Sequence, residues 1–217
     1  MEDVRTYAGR AGSREVVGTA TLLGQVMFLV GVALAFTMAG SYIGRDLGQG
    51  TAFMLFLVAF GMLIAQSFVA RLRVGTLAIG WLYAIALLLG IGIGPALSYF
   101  IANDPAAVTQ AAGATALITI GMGAGGFALS KDLKAWMRPL SLIVLVAVVI
   151  SFAMLLFSSG GNPIISAIIA IVSALLISVN FNYLRKHGTA DDAVWIATGI
   201  FVSIVNIFLS LLNIFGD

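Results

Sequence analysis

The chain has 217 residues, 61% of them hydrophobic and 9% charged, with a formal net charge of +2. Soluble domains carry roughly a quarter charged residues, so this composition, with mean hydropathy +1.10, excludes a water-soluble fold and points to an integral membrane protein. No cysteine and a single histidine, His187, exclude disulfides, thiolate metal sites and histidine-cluster chemistry, and so small a net charge gives no footing for nucleic acid.

Residues 1–17, MEDVRTYAGRAGSREVV, mix three acids with three arginines ahead of any apolar run. No cleavage-type site follows a short apolar core, so this is not a secretory signal. It reads as a cytoplasmic tail, with residues 18–217 forming one transmembrane domain. Seven apolar runs follow, each long enough to span a bilayer as a helix: 18–42, 51–70, 76–101, 107–130, 139–158, 162–184 and 193–215. The links leave no room for a separate soluble domain. No internal repeat is visible, which weighs against an inverted-repeat transporter.

Basic residues set the orientation. With the N-terminus in the cytoplasm, the inner segments hold Arg5, Arg10, Arg14, Arg71, Arg73, Lys131, Lys134, Arg138, Arg185 and Lys186, and the outer ones Arg45 alone. The C-terminus then ends outside. Trp81, Trp136, Trp195 and Tyr183 toward the inner side, and Tyr42 and Tyr99 toward the outer, suit interfacial anchoring.

In the third run, residues 90–95 read GIGIGP. Pro95 cannot bond the carbonyl of Ile91, and its ring crowds that turn. With Gly90, Gly92 and Gly94 beside it, a kink or broken helix is expected. Its carbonyls either line a cation path or are satisfied by neighbouring helices. In the fourth run, Gly121 to Gly126 spells G-x-G-x-x-G, but within an apolar span and without the strand that a dinucleotide site needs. Gly121 and Gly125 read instead as a G-x-x-x-G pair for close helix packing.

All nine acids lie in tails or links, whereas proton pumps and cation carriers keep ionisable groups at mid-membrane. The spans offer neutral polar groups: Gln25, Gln66, Gln110, Thr115, Thr119, Ser151, Ser173, Ser178, Asn180 and Asn182. They either bond helices together or line a wet cavity. No nucleophile with a base and an orienting acid can be assembled, and His187 reads as a solvated loop residue. Neither a catalytic residue nor a metal or other cofactor is expected.

The seventh run, AVWIATGIFVSIVNIFLSLLNIF, carries Gly199, Ser203, Asn206, Ser210 and Asn213 at gaps of four, three, four and three. That spacing sets all five on one helical stripe. Facing lipid, the stripe would leave amides without partners, so it must face other helices or a wet cavity. The expected fold is an all-α membrane protein in which six helices surround a central C-terminal seventh.

Residues 202–216, VSIVNIFLSLLNIFG, resemble the closing Asn-x-Phe-x-x-Leu-Leu-x-x-x-Gly signature of the Bax inhibitor family, and residues 90–99, GIGIGPALSY, its third-helix Gly–Pro stretch. The likeness is nearest to the small bacterial YccA-like branch. It implies six helices around a central seventh, in a bacterial plasma membrane. In the family's calcium-leak branch, acids on helices six and seven form a proton-sensing pair; the matching positions are Asn180 and Ser203, and neither is acidic. The second span also lacks a basic residue to latch onto such a pair. The branch likeness instead implies a modulator that binds the membrane-bound AAA metalloprotease FtsH, engaged through residues 1–17. The alternative is a cation leak without the acid pair, running beside Asn180, Ser203 and Asn206 and gated at residues 90–95.

Overall fold

A computed structural model of the protein describes residues 18–157 and 162–216; the tail read over residues 1–17 lies outside the described residues. Among the described residues seven α-helices make up the bundle: α1 (Thr19–Gly44), α2 (Gln49–Phe68), α3 (Gly75–Asn103), α4 (Pro105–Ala128), α5 (Lys134–Phe157), α6 (Pro163–His187) and α7 (Ala193–Phe215). All seven are long and apolar enough to cross a membrane.

The helices depart from the apolar runs by more than two residues at two places. α5 starts at Lys134 rather than 139, because Lys134, Trp136 and Arg138 form a polar first turn and Pro139 sits inside the helix. α6 continues through Arg185, Lys186 and His187, and the cations Arg185 and Lys186 suit the negative end of a helix dipole. His187 is therefore the last helical residue rather than part of a loop. Asp104 caps α4 by accepting from the Ala107 N–H at 3.0 Å, and Asn162 caps α6 through Ile164 N–H at 2.9 Å. Each is followed by a proline at the first helical position, where its missing N–H is harmless.

Alternation along the chain gathers the α2–α3, α4–α5 and α6–α7 links at one end of the bundle. This basic end holds Arg71, Arg73, Lys131, Lys134, Arg138, Arg185 and Lys186, and Arg45 lies at the other.

α7 is central, as its stripe requires, and it shares the centre with α6. In each, 56% of the span residues are buried, against 17% in α2 and in α5. The reason lies in α6's own polar face: Ser166, Ser173, Ser178, Asn180 and Asn182 are all buried and need the same shelter from lipid. α7 packs along α6, α4 and α1, with Ile196, Ile200, Phe201 and Ile207 fully enclosed. Gln25 and Gln110, by contrast, are exposed, each within two turns of its helix start. On the periphery, α2 and α5 meet where Phe152 sits edge-on to Phe53, Phe56 and Phe60, with ring centroids 6.1, 5.0 and 5.8 Å away.

Of the kink or broken helix expected at residues 90–95, the break is not found: α3 runs uninterrupted from Gly75 to Asn103 with Pro95 inside it. The glycines serve close approach instead. A Cβ on Gly90 would collide with the Thr37 backbone of α1, one on Gly94 would come within 2.7 Å of the Gly44 carbonyl carbon, and one on Gly92 within 2.7 Å of Phe56 on α2. The Ile91 carbonyl, which Pro95 has no N–H to bond, is pressed against Gly44, where a Cβ would overlap it. Thr37 adds a hydroxyl bond to the Ala86 carbonyl at 3.1 Å.

The glycine pair on α4 also needs correcting. Gly121 and Gly125 face open space: a Cβ at either position would meet nothing within 4 Å. Close packing belongs to Gly126, where a Cβ would strike the Ser178 backbone of α6, and to Gly123, where it would meet the Phe181 ring at 3.1 Å.

Candidate functional site

Between α2, α5, α6 and α7 lies a cavity of about 410 Å³. α7 supplies Thr198, Gly199, Val202, Ser203, Asn206 and Leu209, and α6 supplies Leu176 and Asn180. The opposite wall is Phe56, Phe60, Leu63 and Gln66 of α2 with Ser141, Leu145 and Val148 of α5. Polar side chains stand on both walls, with Asn180, Thr198, Ser203 and Asn206 on the α6–α7 side and Gln66 and Ser141 opposite. No lining residue is ionisable, and among the described residues no three His, Cys, Asp or Glu side chains gather to hold a metal.

The stripe divides along its length. Gly199, Ser203 and Asn206 line the cavity. Ser210 is buried, and Asn213 donates to the Ser166 hydroxyl of α6 at 3.1 Å. Near Asn213, a cluster of Ala107, Ala111 and Leu212, with Leu97 and Phe100 packed on it, fills the end away from the basic links.

Asn180 and Ser203, the positions matching the family's acid pair, share this cavity. Asn180 Nδ2 donates to the Leu176 carbonyl at 2.8 Å, and a Cβ on Gly199 would lie 2.9 Å from Asn180 Oδ1. Glycine at 199 is what lets the amide reach α7. Ser203 donates to the Gly199 carbonyl at 2.8 Å and Thr198 to that of Val194 at 2.8 Å. Both hydroxyls therefore give their protons to their own helix and offer lone pairs elsewhere. The Asn206 amide is bonded to no described residue. The pairs Asn180–Gly199 and Ser166–Asn213 fix the antiparallel register of α6 and α7 and set Ser173 level with Asn206. The Ser173 hydroxyl is buried without a partner.

Two polar residues of this site escaped the stripe argument. Gln66, 3% exposed, donates from Nε2 to Thr198 Oγ1 at 3.2 Å, joining α2 to α7; its own backbone carbonyl accepts from Arg73 Nε at 2.8 Å. Thr198 lies one position off the stripe, and a cavity face two rows wide on α7 would have included it.

A second constellation ties down the basic end. Asn182, fully buried, accepts from the Leu133 N–H at 2.9 Å. Its Nδ2 donates to the carbonyls of Gly126, Leu129 and Lys131 at 3.1, 3.2 and 3.1 Å. Arg185 and Lys186 donate to the carbonyls of Leu129 and Ser130, and His187 Nε2 lies 2.6 Å from Asp132 Oδ2. The last two turns of α6 thus hold the whole α4–α5 link. The Lys134 backbone N–H first, and the His187 ring second, hold the Asp132 carboxyl below its ordinary value of 3.8. A carboxyl lowered by folding contributes stability above its unfolded value and loses it as pH falls through the folded one. Asp132→Asn should therefore lower Tm slightly at neutral pH, and the gap between variant and wild type should close in acid below 3.8.

The model for the family described as "Inhibitor of apoptosis-promoting Bax1" matches residues 19–217. An "uncharacterized protein" of Pseudomonas aeruginosa is 27% identical over 95% of this chain and 92% of its own length. An "uncharacterized membrane protein" of Vibrio cholerae is 28% identical over 63% of the chain, and a Helicobacter pylori protein 30% identical over 62%. The chain spans 62% of the Vibrio protein and 59% of the Helicobacter one. A match that runs from the first described helix to the last residue, over seven membrane-spanning helices with a polar seventh at their centre, makes this chain a member of the Bax inhibitor family.

Proposed function

We propose that this protein acts by contact, as a modulator of membrane-protein quality control that binds the membrane-bound AAA protease FtsH and restrains its attack on membrane substrates. The observation that carries the reading is the tied basic end. Asn182, Arg185, Lys186 and His187 hold the α4–α5 link in place, and Lys131, Lys134 and Arg138 stand on it or in the first turn beyond it. A charged surface that is rigid before binding loses little freedom on docking. With this end placed in the cytoplasm of a bacterial plasma membrane, as the positive-inside rule directs, it meets the side on which a membrane-bound ATPase works. Catalysis has no part in the reading, and neither a cofactor nor nucleic acid is invoked.

Crosslinking and detergent co-purification test it. The protease should be recovered with the wild type, and the double variant Lys131→Glu, Arg138→Glu should recover about tenfold less at unchanged Tm. Absence of the protease from crosslinked preparations, with unaltered half-lives of its substrates on deletion, would sink the reading.

A cation leak is the second reading. It is favoured by the oxygens of Asn180, Ser203 and Asn206 on one cavity, since hard cations take oxygen ligands. Calcium flux in liposomes that Asn206→Leu abolishes would replace the contact reading with this one.

A further inference from the structure

We propose that the cavity between α2, α5, α6 and α7 binds an uncharged, long-chain membrane amphiphile, taken in sideways between α2 and α5, whose head carries hydroxyl or amide N–H donors. The assignment stands apart from the protease reading, since it uses the cavity and not the basic end.

The mouth comes first. Ile64 and Phe68 on α2 and Leu142 and Leu145 on α5 line the cavity yet are exposed, Phe68 by 83% and Leu142 by 61%. In a spanning bundle, exposed apolar side chains face acyl chains, so the cavity opens toward lipid. Further along the same seam, Phe152 against Phe56 and Phe60 closes the gap between α2 and α5. The opening is thus lateral and lies in the half of the bundle nearer the basic links.

The inner wall selects the head. Thr198 and Ser203 give their hydroxyl protons to the carbonyls of Val194 and Gly199, and Asn180 gives one of its two amide protons to that of Leu176. What remains toward the cavity is mainly acceptor capacity, above all Asn180 Oδ1 and the Ser203 lone pairs. The Asn206 amide adds one unengaged group deeper in the wall. An acceptor-rich wall pairs with a head that donates. Nothing in the lining is ionisable, so a phosphate or carboxylate would leave water without a counter-charge. The head is therefore neutral.

The cavity measures about 410 Å³. That volume lies in the range of roughly 300–1,000 Å³ for small-molecule sites. It takes a head and the first part of a chain, the rest passing out over Leu142 and Leu145 into the bilayer.

The probe is a diazirine-bearing monoacylglycerol, compared in nanodiscs with a lysophosphatidic acid carrying the same chain. The neutral probe should label peptides of α2, α5 and α7, competed by excess unlabelled monoacylglycerol, and the anionic probe should label them about tenfold less. Leu142→Trp, which blocks the mouth from an exposed position, and Asn206→Leu, which removes the unengaged amide, should each cut labelling about tenfold with Tm unchanged. Leu142→Trp alone decides the matter if Asn206→Leu does not fold. Equal labelling by the two probes, labelling spread evenly around the bundle, or wild-type labelling of Leu142→Trp would overturn the assignment and mark the contact as bulk lipid.

Discussion

Asn182→Leu should be among the most damaging single changes in this protein. Its amide accepts one hydrogen bond from the α4–α5 link and donates to the Gly126 carbonyl in the last turn of α4 and to the Leu129 and Lys131 carbonyls of the link. Interhelical side-chain bonds in membranes average about 0.6 kcal/mol, and a buried group left without a partner costs about 1–3 kcal/mol. The loss should therefore be about 2–4 kcal/mol, read as a lower midpoint in detergent unfolding. A more specific sign is proteolysis. With the link untied, trypsin should cut after Lys131 and Lys134 faster than in the wild type. Asn206→Leu is the control, since that amide bonds to no described residue and its replacement should leave both readings close to wild type. Equal sensitivity of the two variants would mean that Asn182 holds nothing.

Gly126→Val and Gly121→Val should behave oppositely although they lie on the same helix. A Cβ at 126 meets the backbone of Ser178, which no rotamer change can move aside, whereas a Cβ at 121 meets nothing within 4 Å. Overpacking costs about 1–3 kcal/mol. The first variant should reach the upper end of that range, because α4 must leave α6 and the Ser178 hydroxyl bond to the Met122 carbonyl, 2.7 Å long, goes with it. The second should stay within about 0.5 kcal/mol of wild type. Unfolding midpoints measured side by side in one detergent check both, and a destabilised Gly121→Val would mean that the outward face of α4 is covered.

That contrast shows where sequence reasoning reaches its limit. The spans, their number and the inward facing of α7 were legible, because apolar length and the spacing of Gly199 to Asn213 are properties of single helices. Which glycines pack was not. α4 carries several glycine spacings, and only the partner's face selects Gly123 and Gly126 over Gly121 and Gly125. The same limit explains α3. Proline and three glycines announce a kink or a break, yet α3 runs whole with Gly44 of α1 packed against the Ile91 carbonyl, and Gly44 carries no mark of that contact in the sequence. Asn180 and Ser203 both line the one cavity. The cavity itself was invisible, because it depends on α2 and α5 parting below Phe152. Gln66 and Thr198 are isolated polar letters in separate spans, and only the register between helices pairs them.

The shared centre of α6 and α7 has a consequence for biogenesis. Chains are synthesised from the N-terminus, so the five spans that form the outer shell enter the bilayer before either helix of the core. Until α7 arrives, Asn180 has no Gly199 to rest on and Ser166 no Asn213 to receive from, and the nascent bundle carries hydroxyls and amides that lipid cannot solvate. Maturation thus waits on the final stretch of translation, and a ribosome that stops short of residue 193 leaves behind an assembly with a polar wound at its heart.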